Sequence, residues 1–216
     1  MKKRTALVAG GSGLVGSELL QQLLDDPEYE RVTALVRSAL PFNHPKLTEC
    51  IIDFGKLGEC KEYFSADDIY CCLGTTIKKA KTREAFRQVD YEYPLTMAKL
   101  AESSGAGNYL VVTAIGSSAS SSIFYSRVKG ELEEALQQLG LPSLHIFRPS
   151  FLLGRRQEFR LGERLLGMTV MKWLKFVWVG RLRKYRPIEG RQVAQAMIAA
   201  AKSGRKGLQI YEGGQM

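Results

Sequence analysis

Residues 5–16 read Thr-Ala-Leu-Val-Ala-Gly-Gly-Ser-Gly-Leu-Val-Gly. A short apolar run ends at the first glycine, and the helical apolar spacing of residues 14–24 follows directly. Glycines in this order permit a tight turn, a close backbone approach and close helix packing, while the helix N-terminus offers free N–H groups to an anion. The stretch therefore predicts a cradle for the diphosphate of a dinucleotide. The residues assigned to this cradle are Gly10, Ser12, Gly13, Leu14, Val15 and Gly16.

Apolar strand patterns alternate with amphipathic helices through the rest of the chain. Strands are predicted at 32–36, 49–52, 69–73, 109–115 and 143–147, and near 208–211, with helices at 83–104 and 126–139 and near 191–202. Such alternation indicates a parallel sheet covered on both faces. We therefore predict an α/β fold, a doubly wound parallel sheet of Rossmann type. Residues 1–216 are predicted to form a single domain, with 151–186 as a small lid or substrate region.

The end of the second strand bears on the choice of cofactor. An acidic residue usually stands there and holds the ribose 2′-hydroxyl of NAD, but this chain has Arg37, followed by Ser38. A guanidinium pairs well with the 2′-phosphate of NADP, and the serine is a second donor. We predict NADPH or NADP as the cofactor in preference to NAD. The alternative is that Arg37 is an ordinary surface arginine.

Tyr125 and Lys129 are four residues apart in a predicted helix, so both side chains project from the same face. A nearby ammonium favours the phenolate form of a tyrosine, which suits Tyr125 as a general acid or base. Lys129 is also predicted to hold the ribose. The pattern is weak by itself, and its position after the fifth strand gives it weight.

Over most of its length the chain resembles the short-chain dehydrogenase/reductase superfamily in its atypical branch. The segments that carry the resemblance are the glycine turn, Asp53-Phe54, Cys72-Leu73-Gly74-Thr75-Thr76, Val89-Asp90, Tyr125 to Glu131 and Phe147-Arg148-Pro149. Within the branch, the chain is most similar to the oxidoreductase-like proteins related to the Tat-interacting protein, which share a similar Cys-Cys-Leu-Gly-Thr-Thr strand end.

The resemblance implies further site residues. Asp53 and Phe54 are expected to border the adenine, and a catalytic serine or threonine is expected at the end of the fifth strand. Thr113 fits that position best, with Ser117 and Ser118 as alternatives in a serine-rich loop; Thr113 as a plain strand residue is the competing interpretation. The residues expected along the nicotinamide and its ribose are Leu73, Gly74, Thr75, Pro149, Ser150 and Phe151.

The formal net charge of +9 favours anionic partners without choosing among them. No nucleic-acid module is recognised, so we predict no nucleic-acid partner. The four cysteines contain no Cys-x-x-Cys pair and the two histidines complete no zinc spacing, so no metal is predicted. Buried reduced thiols, together with an N-terminal apolar run too short for a signal peptide, favour a cytoplasmic protein.

Residues 164–186 mix aromatic and basic side chains. Lysines interrupt the apolar stretch 165–179, which disfavours a transmembrane helix. Peripheral contact with an anionic membrane is one interpretation. The favoured one is a buried segment that covers the cofactor cleft or forms a homodimer contact.

Two functions remain open. The first is an NADPH-dependent oxidoreductase acting on an unknown carbonyl or alcohol, with Tyr125 exchanging the proton and Thr113 orienting the oxygen. The second is a non-catalytic module that senses NADP(H) and regulates or binds a protein partner, because a fold does not fix a function. The sequence leaves the substrate, the direction of transfer and the oligomeric state undetermined.

Overall fold

A computed structural model describes residues 3–153 and 186–216 of the chain. Most of the predicted lid region 151–186 lies outside these residues, and so does almost all of the aromatic and basic segment 164–186. Both remain predictions. In the part that is described, no helix is long and apolar enough to cross a membrane.

Seven strands form one sheet in which every pairing is parallel. Their order across the sheet is β3-β2-β1-β4-β5-β6-β9. A separate pair consists of β7 (Leu152–Leu153) and β8 (Ile188–Glu189). The predicted doubly wound parallel sheet is confirmed. The seven strands are β1 (Arg4–Ala9), β2 (Tyr29–Val36), β3 (Leu47–Ile51), β4 (Asp68–Cys71), β5 (Asn108–Val112), β6 (Ser143–Arg148) and β9 (Gly207–Glu212).

Helices cover both faces of the sheet. They are α1 (Leu14–Asp25), α2 (Ile77–Ala80), α3 (Arg83–Arg87), α4 (Tyr93–Ser103), α5 (Phe124–Gln137) and α6 (Gly190–Lys202), with short 3₁₀ turns at Phe54–Glu59 and Lys61–Phe64. Strand side chains alternate between two cores. Val8 packs with residues of α1 and α6, whereas the adjacent Leu7 packs with residues of α4 and α5. The central strands are therefore apolar on both sides, as expected of a covered parallel sheet.

The single helix predicted at 83–104 is divided in the structure. A π turn at Gln88–Glu92 separates α3 from α4. Pro94 lies at the start of α4 and has no N–H group to donate to the carbonyl four residues earlier, which is that of Asp90. The loss of this regular bond accounts for the wider turn, and π turns of this kind occur often at functional sites.

The strand order reverses between β1 and β4. From β1 the chain proceeds to β2 and β3 on one side, and from β4 it proceeds to β5, β6 and β9 on the other. Ligands of such sheets bind in the crevice at the carboxyl ends of the strands beside this reversal. The glycine turn after β1 and the segment after β4 meet there, because the Cys72 N–H donates to the Ala9 carbonyl at 2.9 Å.

Candidate functional site

The glycine turn is built so that a side chain would not fit. Gly10 has φ +85°, and a Cβ there would lie 2.5 Å from the carbonyl oxygen of Cys72. The turn closes when the Gly13 N–H donates to the Gly10 carbonyl at 2.8 Å. A Cβ at Gly16 would lie 2.2 Å from that same carbonyl oxygen. Turn and helix are therefore in closer contact than any other residue would permit.

Helix α1 begins directly at this turn. Gly13 is its N-cap, and among the described residues no side chain caps it and no acidic residue stands in its first turn. Ser12 is exposed beside it. The first-turn N–H groups of a helix need an external acceptor when no cap is present, and the helix dipole favours an anion there. The residues of the turn therefore fit the diphosphate of a dinucleotide.

The residues predicted around the adenosine are at the carboxyl ends of β2 and β3. Arg37 and Ser38 are exposed just beyond β2. The Asp53 carboxylate accepts the Gly55 N–H at 2.8 Å, and Phe54 is buried with its ring centroid 5.7 Å from that of Tyr93. Burial raises the pKa of the Tyr93 phenol, Asp53 adds to the rise and Arg37 opposes it. Asp53 and Arg37 thus both act on Tyr93, which is not among the predicted site residues.

The segment Leu73–Thr75 is fixed by a carboxylate from outside its own strand. The Thr75 N–H donates to Asp90 Oδ2 at 2.8 Å. A Cβ at Gly74 would lie 3.5 Å from Asp90 Oδ1 and 4.0 Å from Lys129 Nζ. The structure therefore brings this segment and Lys129 together through a buried aspartate on the π turn.

Tyr125 and Lys129 lie on one face of α5, as predicted. Lys129 is 3% exposed, and its Nζ is 2.8 Å from Asp90 Oδ1. Tyr125 is half-buried, and its ring centroid is 5.6 Å from that of Phe86. Burial lowers the pKa of the Lys129 ammonium, but Asp90 and then Tyr125 raise it, and the net pKa lies above its ordinary value.

The Thr113 hydroxyl is engaged within the protein. It donates to Glu133 Oε1 at 2.6 Å, and the same carboxylate accepts the Arg148 Nε at 3.2 Å and 3.1 Å through its two oxygens. The alternatives are also engaged, because Ser117 donates to the Ala114 carbonyl at 2.7 Å and Ser118 bonds with a neighbouring serine. The geometry shows no candidate hydroxyl free of an internal bond.

The residues predicted beside the nicotinamide follow β6. Pro149 and Ser150 are buried, and the Ser150 hydroxyl donates to the Arg186 carbonyl. Phe151 is 42% exposed, and its carbonyl accepts the Ile188 N–H at 2.9 Å. These contacts join the end of β6 to the chain that returns toward α6.

Asp90, Glu133 and Gly130 contact predicted site residues or their alternatives but were not themselves among the predicted site residues. A Cβ at Gly130 would lie 2.1 Å from the carbonyl carbon of Ser118, so this glycine lets α5 approach the serine-rich loop. A glycine or an acid on the buried stripe of an amphipathic helix is a signal for such contacts. Gly130 and Glu133 both carry that signal.

The family model of HIM1 matches residues 61–172, which is more than half of the chain. The chain belongs to the HIM1 family. Protein HTATIP2 of Rattus norvegicus is 36% identical over 169 residues, covering 76% of this chain and 69% of that protein. The mitochondrial protein FMP52 of Candida albicans is 31% identical over 210 residues, covering 94% and 90%. The predicted resemblance to the atypical dehydrogenase/reductases and their Tat-interacting group is confirmed.

Solved structures place this HIM1 chain in the same fold class. MoeE5 in complex with UDP-glucose and NAD has a TM-score of 0.70 at 15% identity, and the match covers 95% of this chain and 74% of the MoeE5 chain. The Bordetella bronchiseptica enzyme WbmH in complex with NAD+ has a TM-score of 0.72 at 14% identity, covering 97% and 76%. At such low identity the likeness establishes the shared Rossmann-type fold.

The predicted cytoplasmic location is contradicted by the fungal relatives. The FMP52 proteins of Candida albicans and Eremothecium gossypii are both named mitochondrial. All four cysteines of the HIM1 chain are free. Reduced thiols report on the redox state of a compartment and not on which compartment it is, so the inference from cysteines to the cytoplasm was not justified.

Proposed function

We propose that this HIM1 protein binds a nicotinamide dinucleotide at the carboxyl ends of β1 and β4 and acts as an oxidoreductase. The observation that carries the proposal is the uncapped start of α1 at Gly13, beside a turn in which no Cβ would fit. Distant structural neighbours that were solved in complex with NAD support it. When bound, the nicotinamide supplies hydride transfer, and the protein supplies binding, orientation and proton management.

The turn from Gly10 to Gly16 would hold the diphosphate, and Lys129 would hold the nicotinamide ribose. Tyr125 would exchange a proton with a substrate carbonyl or alcohol, helped by the ammonium one helical turn away. Thr113 is the proposed orienting residue. Because its own proton is donated to Glu133, its oxygen would accept a hydrogen bond from the hydroxyl of an alcohol; a carbonyl oxygen, which has no proton to donate, would not be held in this way.

The nucleotide proposal is tested by fluorescence titration of the purified protein with NADPH. Gly16→Ala is expected to weaken binding about tenfold or more, because the added methyl would collide with the Gly10 carbonyl. Gly58→Ala is the matched control, since a Cβ there meets nothing within 4 Å among the described residues. Circular dichroism verifies folding of both variants. Absence of nucleotide binding by the wild-type protein would refute the proposal.

The preference for NADPH over NADH is proposed to depend on Arg37. A charge-assisted bond contributes about 1.5–3 kcal/mol, so Arg37→Ala is expected to remove roughly a tenfold or larger preference. Arg31→Ala is the control, because this exposed arginine lies near the amino end of β2, away from the site. Tighter binding of NADH by the wild-type protein would overturn the preference.

Catalysis is tested with a panel of carbonyl compounds and NADPH. Tyr125→Phe is expected to lower kcat by about 10²–10⁴-fold, as for loss of a general acid, while NADPH binds as before. Equal turnover by the wild-type protein and by Tyr125→Phe would exclude Tyr125 as the proton donor.

A second candidate is a non-catalytic NADP(H) sensor that binds a protein partner. It is favoured by the internal bonds of the Thr113, Ser117 and Ser118 hydroxyls. The test compares proteins captured by the immobilised chain with and without NADPH. Capture that is identical in both conditions would remove the sensing function.

The remaining expectations are also proposals. The chain would form one domain in which 151–186 covers the cleft or contributes to a homodimer, and its substrate would be a small molecule and not a nucleic acid. The names of the fungal relatives lead us to propose a mitochondrial location, which cell fractionation would check.

A further inference from the structure

Asp90 and Lys129 form a buried ion pair between the π turn and α5. Asp90 is 1% and Lys129 is 3% exposed, and Nζ lies 2.8 Å from Oδ1. The second carboxylate oxygen, Oδ2, accepts the Thr75 N–H at 2.8 Å. One carboxylate therefore joins the proposed ribose-binding lysine to the segment that follows β4.

The local backbone explains how Asp90 reaches both partners. It lies within the π turn at Gln88–Glu92, which directly precedes α4. Pro94 is at the start of that helix. The wider turn places the aspartate beside α5, and its carboxylate lies next to Gly74, where a Cβ would be 3.5 Å from Oδ1, an ordinary contact distance. The ion pair is therefore formed by a residue of the π turn and a residue of α5.

The charge state of Lys129 depends on few groups. Burial disfavours its ammonium, and the groups that raise its pKa are Asp90 on the π turn, Tyr125 on α5 and Cys71 on β4. Tyrosine and cysteine side chains are ordinarily neutral near pH 7, so Asp90 is the neighbour among these that carries a full negative charge. Buried lysines without such a partner are known to titrate at about pH 5–6.

We propose that Asp90 is a positioning residue that keeps the Lys129 ammonium charged and holds it against the Leu73–Thr75 segment. The consequence for nucleotide binding rests on the proposed function. In Asp90→Asn, the amide still accepts the Thr75 N–H but no longer compensates the buried charge. NADPH binding by this variant should be retained at low pH and lost as the pH rises through the lowered pKa of Lys129, whereas wild-type binding should persist.

The charge of Lys129 is measured by NMR titration of protein labelled with ¹³C at lysine Cε, with Lys129→Arg used to assign the signal. Wild-type Lys129 is expected to titrate above the ordinary value of about 10.4, and Lys129 of Asp90→Asn below it. Glu92→Gln is the matched control, because it removes another carboxylate of the same π turn. The Glu92 carboxylate pairs with Arg87 at 3.8 Å and not with Lys129. Equal Lys129 titration in wild type and Asp90→Asn would overturn the proposal.

A second comparison covers the case in which Asp90→Asn does not fold. Removing both charges in Asp90→Asn with Lys129→Met should restore folding, since no unpaired charge remains buried. A double variant that is no more stable than the single one would contradict the ion-pair role.

The NMR measurement needs no nucleotide, so it separates the two proposals. Wild-type protein that shows the raised Lys129 titration but binds no NADPH would refute the proposed function alone. Wild-type protein that binds NADPH while Asp90→Asn shows an unchanged pH dependence of binding would refute the role of Asp90 alone. Asp90→Glu, which keeps the charge, should restore binding at high pH.

Discussion

Two buried aspartates at opposite edges of the sheet have different surroundings. Asp68, at the amino edge, is fully buried and accepts four hydrogen bonds from the side chains of Arg4, Tyr29 and Asn108. Asp90, at the carboxyl edge, is bonded to the Lys129 ammonium and to one backbone N–H. Each is an acid paired with a base, but the two pairs join different parts of the fold.

The partners of Asp68 are all the first residues of their strands. Arg4 begins β1, Tyr29 begins β2, Asp68 begins β4 and Asn108 begins β5. These four strands are neighbours in the sheet, so one carboxylate ties together their amino ends. Asp90 instead connects a turn, a helix and a loop around the crevice. The buried carboxylate at the amino edge therefore joins strands of the sheet, whereas the one at the carboxyl edge joins segments around the crevice.

The basic partners of the two aspartates, Arg4 and Lys129, differ in whether they can lose their proton. The arginine guanidinium does not lose its proton in proteins, whereas a buried lysine can become neutral. Removal of Asp68 would leave Arg4 charged and would also leave the Tyr29 and Asn108 donors without their acceptor. Removal of Asp90 can be accommodated by deprotonation of Lys129.

The largest expected effect is that of Asp68→Asn. Breaking a buried pair by removing one partner costs about 3–5 kcal/mol, and we expect a loss of that order in the free energy of unfolding from urea denaturation. NADPH affinity of the folded variant should stay within about twofold of wild type, because the site is at the other edge. Asp25→Asn, an exposed aspartate of α1, should change stability by less than about 0.5 kcal/mol. A similar small change for Asp68→Asn would show that the network is not stabilising.

Asp90→Asn is expected to lower the free energy of unfolding by less than Asp68→Asn does, by about 1–3 kcal/mol. It should also reverse the pH dependence of stability that arises from the titration of Lys129. In the wild type the raised pKa of Lys129 provides stability that is present below about pH 10.4 and lost as the pH rises further. In the variant the pKa is lowered, so the unfolded chain binds the proton more tightly and stability rises with pH up to about 10.4. Urea denaturation of both proteins between pH 7 and 10 measures the difference. If the stability of the two proteins depended on pH in the same way, the lowered pKa of Lys129 in the variant would be contradicted.

Thr113→Val is expected to cost about 0.5–1.5 kcal/mol, as for one hydrogen bond, because Arg148 still compensates Glu133. Thr48→Val, at an exposed position of β3, is the control. The same variants report on catalysis. A fall in kcat beyond tenfold in Thr113→Val, with KM unchanged, would support its proposed orienting role; unchanged kcat would assign the hydroxyl to packing alone.

The contrast between the two edges also explains what could be predicted from the sequence. The glycine turn and the alternation of strands and helices are local patterns, so the fold class followed from them. The Asp90 pairs join residues far apart in the chain, and only the fold brings these residues together. Pro94 inside the predicted helix 83–104 was the available signal for the π turn. Glu133, four residues after Lys129 on a buried stripe, was the signal for a partner such as Arg148.

The smallest expected effect concerns His145, which lies on the same face of the sheet as Leu110 and Phe147. Its Nδ1 is 3.1 Å from the Tyr211 hydroxyl, and its buried Nε2 has no partner among the described residues. Burial lowers the pKa of this imidazole; Asp68 opposes the effect and Arg205 adds to it. A lowered pKa means stability that is present above about pH 6.5 and lost as the pH falls.

His145→Phe should therefore flatten the loss of stability between about pH 6.5 and 5, while changing the free energy of unfolding at pH 8 by less than about 1 kcal/mol. His44→Gln, at a partly exposed position outside the sheet, is the matched histidine control. In the Asp68→Asn background the acid loss should become steeper, because the carboxylate that favours the charged imidazole has been removed. An acid dependence that is the same with and without Asp68 would show that the amino-edge network does not extend to β6.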